Sequence, residues 1–93
     1  MDIHAELADL IGREVVIDTH SPYVYLGTLE SFTENFVTLS GVDVHDMTGS
    51  HSTKELYIMQ ARKLGIARSR TRVKLMTREV VSISRLEDVL VFE

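Results

Sequence analysis

Apolar and polar residues alternate with period two through most of residues 23–46, YVYLGTLESFTENFVTLSGVDVHD. The alternation predicts one long, bent β-hairpin. Its first arm sets Tyr23, Tyr25 and Leu29 against Val24, Leu26 and Phe32. Gly27 interrupts that arm where a residue without a side chain permits a sharp bend or a close backbone approach. Thr33-Glu34-Asn35 fits a three-residue turn, and the second arm, Phe36 to Asp46, has its own bend point at Gly41. Ahead of the hairpin, Glu14 to Thr19 is a strand rich in β-branched residues, and His20-Ser21-Pro22 breaks it because proline brings no donor to a ladder.

The flanks change period. Asp2 is placed to cap a helix that lines up Ile3, Leu7, Leu10 and Ile11, with Glu6 and Asp9 opposite and Gly12 at its end. One apolar stripe predicts that this helix lies on the domain's own sheet; an acidic polar face does not suit a membrane surface. After a loop from Met47 to Ser52, Ser52-x-x-Glu55 matches a capping box. It opens a helix from Thr53 to Leu64 with Leu56, Tyr57, Met59, Ala61 and Leu64 as its apolar side and Gly65 as its stop. Ile66 to Met76 alternates again, and Glu79 to Ile83 and Asp88 to Phe92 supply the closing strands. The whole predicts a single mainly-β domain over residues 1–93: a small, strongly bent five-stranded antiparallel barrel with an N-terminal α-helix and an inserted helix within 47–72.

Composition narrows the function. With 93 residues, 44% of them hydrophobic, the chain has a modest core of its own, and self-association would supplement it. There is no 18-residue apolar run, no leader-like N-terminus and no cysteine, so a cytoplasmic protein without a membrane span, disulfides or thiolate metal sites is expected. The net charge of −4 is divided unevenly: residues 1–46 set nine carboxylates against Arg13, whereas residues 47–93 set nine bases against five carboxylates. Such a chain can cancel its charge across strands, across subunits, or against RNA.

The basic half holds Arg68, Arg70, Arg72 and Lys74 at period two, one face of a strand, with about 6.6–6.8 Å between successive bases. That stripe suits phosphates. It equally suits cross-strand pairing with Glu30, Asp43 or Asp46. Of His4, His20, His45 and His51, only Asp43-x-His45-Asp46 with His51 groups donors for a metal, and the strand faces scatter them. No serine has a base and an orienting acid at hand, and no glycine-rich phosphate loop occurs, so neither catalysis nor a cofactor is expected.

Gly12-Arg13-Glu14-Val15, Gly27-Thr28-Leu29 and Phe36-Val37-Thr38-Leu39, followed by Leu75 to Ile83 with Val80 and Ile83 as apolar anchors, resemble the motifs of the Sm-like (LSm) fold family. Glu30-Ser31-Phe32 and Phe36-Val37 are similar to the bacterial Hfq-like branch. The resemblance covers residues 3–46 and 73–92 and makes residues 47–72 an insertion between the third and fourth strands. It implies a cyclic homo-oligomer in which the closing strands, Leu75 to Ile83 and Asp88 to Phe92, pair between subunits. It also implies RNA at the hairpin turn, with Asn35 as an edge-reading amide and Phe36 as a stacking ring; Arg70, Arg72 and Lys74 of the basic stripe, with Arg78, are the candidate phosphate contacts beside it. The turn departs from the family pattern in length. Where the second motif has Arg-Gly or Lys-His, this chain has Met76-Thr77 or Thr77-Arg78. An interaction or scaffold module that presents residues 47–72 to a protein partner is the alternative.

Overall fold

A computed structural model describes residues 3–48 and 53–91, with side chains from Ala5 onward. Asp2, Ser52, His51 and Phe92, and the side chains of Ile3 and His4, lie outside the described residues. The elements are α1 (Ile3–Leu7) running into a 3-10 turn (Ala8–Leu10), then β1 (Glu14–Thr19), β2 (Tyr23–Phe32), β3 (Phe36–Asp46), α2 (Lys54–Leu64), β4 (Arg70–Met76) and β5 (Val80–Arg85). The first three strands have the bounds that alternation and the proline break predict.

The five strands form one antiparallel sheet in the order β4-β3-β2-β1-β5. Laid flat at about 4.8 Å per strand, its two edges would stand about 19 Å apart. Yet Met76 of β4 and Val80 of β5 are joined by residues 77–79 alone, a link that spans at most about 14 Å. The sheet therefore curls into a small open barrel whose two free edges meet at one corner.

The glycines make the curl possible. Leu26 pairs with Asp43 and Thr28 with Ser40, so Gly27 stands opposite two residues of β3, Gly41 and Val42. Gly41 takes the bulge at φ 56°, in the left-handed region. A Cβ on Gly27 would lie 3.1 Å from the Ser40 carbonyl oxygen and 3.2 Å from Val42. The bulge switches which parity of β3 faces inward, Val37 and Leu39 before it and Val42 and Val44 after it, while β2 keeps one parity from Tyr25 to Leu29. Leu29 enters the barrel with Val15, Ile17, Val37, Leu39, Val42 and Leu75, whereas Val24 and Leu26 join Val16 on the opposite face.

That opposite face is covered by α2, which buries Ile58 and Ala61 against it; Leu86 and Val89, beyond β5, complete this second core. The insertion thus packs on its own domain. Its orientation differs from the expected one. Ile58 and Ala61 are the contact residues, while Leu56 and Leu64 point outward, Leu64 with 85% of its surface exposed. The cap is Thr53, whose hydroxyl accepts from the Leu56 N–H at 3.1 Å.

Three further expectations are corrected. Residues 65–69 are not strand: β4 begins at Arg70, because Arg68 turns back to donate to the Gly41 carbonyl at 2.5 Å and to Glu14 at 2.6 Å. The stretch from Asp88 to Val91 is not a closing strand. Leu86–Asp88 is a 3-10 turn that drops Leu86 and Val89, three residues apart, under α2. Finally, α1 is only one turn of α-helix before it tightens. Leu10 packs against the barrel core, but Ile11 remains half exposed.

The uneven charge is partly cancelled within the chain. Lys54 meets Asp18 at 2.5 Å, Arg68 meets Glu14 and Arg72 meets Glu30, each a base of the second half on a carboxylate of the first. Exposed pairs of this kind contribute about 0–1 kcal/mol each. A fully buried Ile17, Leu26, Leu29 or Leu39 contributes roughly 1.5–3 kcal/mol. The two apolar cores hold the fold; the ion pairs set which surfaces remain charged.

Candidate nucleic-acid interface

At the corner where the free edges meet, Asn35, Phe36, Met76, Thr77 and Arg78 line a depression of about 350 Å³. Two turns build it. In the β2–β3 turn the Thr33 N–H donates to the Phe36 carbonyl at 2.7 Å, and the Thr33 hydroxyl accepts from the N–H groups of Asn35 and Phe36 at 3.3 and 3.1 Å. The turn is closed by its own backbone and one hydroxyl. This leaves the Asn35 amide without a partner among the described residues.

The β4–β5 turn then docks on the first. The Thr77 N–H donates to the Asn35 carbonyl at 2.9 Å, and the Thr77 hydroxyl donates to the Glu34 carbonyl at 2.7 Å. Phe36 and Met76 are cross-strand partners with 41% and 47% of their surfaces exposed, so a ring and a thioether stand side by side in the opening. Arg78 donates to the Met76 sulfur at 3.3 Å and lies 4.0 Å from the Glu79 carboxylate, largely in solvent. The depression therefore offers a flat apolar wall, an unengaged amide and a guanidinium.

The structure brings Asn35, Phe36 and Arg78 together, and places Arg70, Arg72 and Lys74 on alternate, exposed positions of β4 leading to Met76. The three bases are not equivalent. Arg72 is held by Glu30 through two hydrogen bonds of 3.0 and 3.1 Å. Those bonds and the Arg72 charge hold the Glu30 carboxyl below its ordinary range, and Glu30 in turn raises the Arg72 guanidinium. Arg70 donates to the Ser69 hydroxyl at 3.3 Å. Among the described residues, Arg70 and Lys74 have no carboxylate within ion-pair distance.

The other expected partners of the stripe are occupied elsewhere. Asp46 accepts from the Thr48 N–H at 2.8 Å, which lowers its carboxyl. Asp43 accepts from the Tyr57 hydroxyl and, at 3.2 Å, from Ser69. His45 stacks on Tyr57, ring centroids 4.1 Å apart and planes 10° from parallel. Burial first, then the bond to Asp43, raises the Tyr57 hydroxyl above its ordinary range. Asp43 and His45 thus fasten α2 to β3, and no group of three metal-ligating side chains occurs among the described residues. A second depression of about 290 Å³ between α2 and residues 65–67 has Asp43 and Tyr57 in its lining, both already bonded to one another.

Sequence reasoning missed Tyr57 as the fastener and Met76 as a wall. The signal for Met76 was present: aligning Phe36 to Leu39 with a following antiparallel strand ending at Met76 sets the two opposite. Nothing local marks Tyr57, because its partners are 12 and 14 residues away on another element.

Solved structures share this fold. The Sm protein of Pyrococcus abyssii, in complex with a uridine heptamer, is 12% identical with a TM-score of 0.59 over 87% of this chain and 93% of that one. The P. aerophilum SmAP1 heptamer is 20% identical with a TM-score of 0.60 over 91% of this chain and 93% of that one. A chain of the NatC complex bound to CoA is 20% identical with a TM-score of 0.59 over 89% of this chain and 87% of that one. No family model and no curated protein matches the sequence. The chain has the Sm-like fold, with a helix inserted between its third and fourth strands.

Proposed function

We propose that this protein is a non-enzymatic Sm-like module that assembles edge to edge into a cyclic homo-oligomer and binds single-stranded RNA weakly at the Asn35–Phe36–Arg78 corner. One observation carries the reading. Two turns more than 40 residues apart converge so that an exposed ring, a free amide and a guanidinium share one opening. A base can stack on Phe36, present its edge to Asn35, and leave its phosphate to Arg78 and Lys74. A ring multiplies each such contact. That a protein of the same fold was solved with a uridine heptamer supports the class of ligand. The reading includes no cofactor and a cytoplasmic location; among the described residues no helix is long and apolar enough to cross a membrane.

The test is a fluorescence titration with labelled uridine- and adenine-rich heptamers at low salt, beside light scattering at micromolar protein. Binding that weakens with salt and with Phe36→Ala, together with a closed oligomer, is expected. No binding at low salt removes the RNA part, and monomer alone removes the assembly.

Leu56 and Leu64, exposed on the outer side of α2, favour a second reading in which the insertion receives a protein partner. It predicts that Leu56→Lys with Leu64→Lys abolishes partner capture while RNA titrations of the same variant stay unchanged.

A further inference from the structure

Among the described residues two carboxylates are partly buried, Asp18 and Asp43, and the others are exposed. Asp18 has the Lys54 ammonium at 2.5 Å. Asp43 has no base within ion-pair distance among the described residues. Its Oδ2 accepts from the Tyr57 hydroxyl and its Oδ1, at 3.2 Å, from the Ser69 hydroxyl. The Arg70 guanidinium stops one step short, donating to that Ser69 hydroxyl at 3.3 Å. Two neutral donors use about half the lone pairs of a carboxylate, one on each oxygen, and leave its charge uncompensated. Holding a half-buried charge in that state costs free energy, and a cation brought beside it gains more than at an open surface.

The space beside Asp43 is open. Asp43 and Tyr57 border the depression of about 290 Å³ between α2 and residues 65–67, with Gln60, Leu64, Ile66 and Ala67 among its other walls. The Gln60 amide has no partner among the described residues. Leu64, the most exposed of the large apolar side chains, stands at this depression and takes no part in either core. The main chain here is also unengaged. Residues 65–69 belong to no strand, and neither the N–H nor the carbonyl of Ala67 makes a hydrogen bond among the described residues.

An uncompensated carboxylate, an apolar wall and a free length of main chain therefore lie side by side, and together they select a ligand. A phosphate chain is repelled by Asp43. A small amine or a bare cation would use the carboxylate and neither the apolar wall nor the main chain. An arginine within a polypeptide uses all three. Its planar fork matches the lone pair left on each Asp43 oxygen, its stem lies along Leu64, and its own backbone bonds to Ala67. Lysine brings a strongly hydrated point charge and no fork. We propose that this depression receives an arginine side chain of a protein partner. The proposal rests on the reading in which the insertion receives such a partner, and it names the side chain recognised there.

An NMR titration of the ¹⁵N-labelled full chain tests it with two capped pentapeptides. One has arginine at its centre between leucines and alanines; the other has citrulline, neutral and of the same shape, in its place. The arginine peptide is expected to shift the Gln60 side-chain amide and the backbone amides of Leu64 and Ala67. The citrulline peptide is expected to bind at least about tenfold more weakly, the scale of one hydrogen bond to a charged group. Asp43→Asn keeps an acceptor for Tyr57 and is expected to bind both peptides equally, at the weaker affinity. The comparison of the two peptides on the wild type decides the matter even where Asp43→Asn loosens α2. Equal binding of both peptides to the wild type overturns the inference, as does an arginine peptide that shifts nothing between Gln60 and Ala67. The reading beneath it fails by a different measurement, when partner capture survives Leu56→Lys with Leu64→Lys.

Discussion

Arg72 holds Glu30 through both carboxylate oxygens, Nε to Oε2 at 3.0 Å and Nη2 to Oε1 at 3.1 Å, across 42 residues of sequence. The pair takes the central base out of a stripe that otherwise looks made for phosphate. Its effect on titration has a definite sign. Glu30 is held below its ordinary range, chiefly by the Arg72 hydrogen bonds, so the pair stabilises the fold above the ordinary carboxylate pKa. That contribution is lost as pH falls through the lowered value. In Arg72→Ala the Glu30 carboxyl is expected to titrate back near 4.5 when followed by NMR of its side chain. The stability gap between variant and wild type should close as the pH falls below the lowered Glu30 value. A gap that persists in acid would mean that Arg72 acts through packing instead.

Tyr57 ties α2 to the sheet, and it should be visible spectroscopically. Its hydroxyl is raised by burial and by the bond to Asp43. The folded state therefore favours the neutral phenol, a contribution present below pH 10 and lost as pH rises beyond it. Of the three tyrosines, one is expected to resist ionisation in an ultraviolet titration until the protein unfolds in alkali. Tyr57→Phe should remove that component and cost about 1.5–3 kcal/mol of stability, the range for a hydrogen bond to a charged group. A Tyr57 that ionises near the ordinary phenol value of about 10 in the folded protein would contradict the bond.

How much of this was legible beforehand depends on whether a residue's partner is local. β1, β2 and β3 could be read because alternation, Pro22 and the Thr33-Glu34-Asn35 turn are all contained in short windows. The residues of the corner could be named, since Asn35, Phe36 and Arg78 lie in or beside turns. The run from Asp88 to Phe92 reads as a strand on composition, and nothing in it reveals that Leu86 and Val89 are needed under a helix 25 residues earlier. Arg72 and Arg70 look alike in sequence. Only the bulge between Leu29 and Ser31, which re-aims Glu30, makes one paired and the other not. Val81 is similar: its exposure follows from a missing partner on β1, not from anything within VVSISR.

Gly41 is the position where the bend is least replaceable. Its φ of 56° is one that residues with a side chain rarely adopt, and a Cβ there would run into the Arg68 guanidinium that bonds its own carbonyl. Gly41→Ala is expected to cost at least about 1–2 kcal/mol, the left-handed penalty alone, plus the displaced Arg68 contacts. Denaturant unfolding measures it. Arg68→Ala in the same background should recover part of the loss by opening the space, and a double variant no better than Gly41→Ala would show that backbone strain is the whole effect.

The distinction between stacking and charge at the corner gives the RNA proposal its sharpest check. Phe36→Ala removes a flat surface and no charge, so it should weaken binding of a uridine heptamer by about 1–3 kcal/mol and leave the salt dependence unchanged. Lys74→Ala removes a base that has no carboxylate within ion-pair distance among the described residues, and should lower the slope of log affinity against log salt by about 0.7, the value for one phosphate contact on a single strand. Arg72→Ala, whose guanidinium is already committed to Glu30, should change the slope by much less. The three titrations together decide where the strand runs. Equal slopes for Lys74→Ala and Arg72→Ala would mean that RNA displaces Glu30, and an unchanged affinity in Phe36→Ala would move the base off this corner altogether.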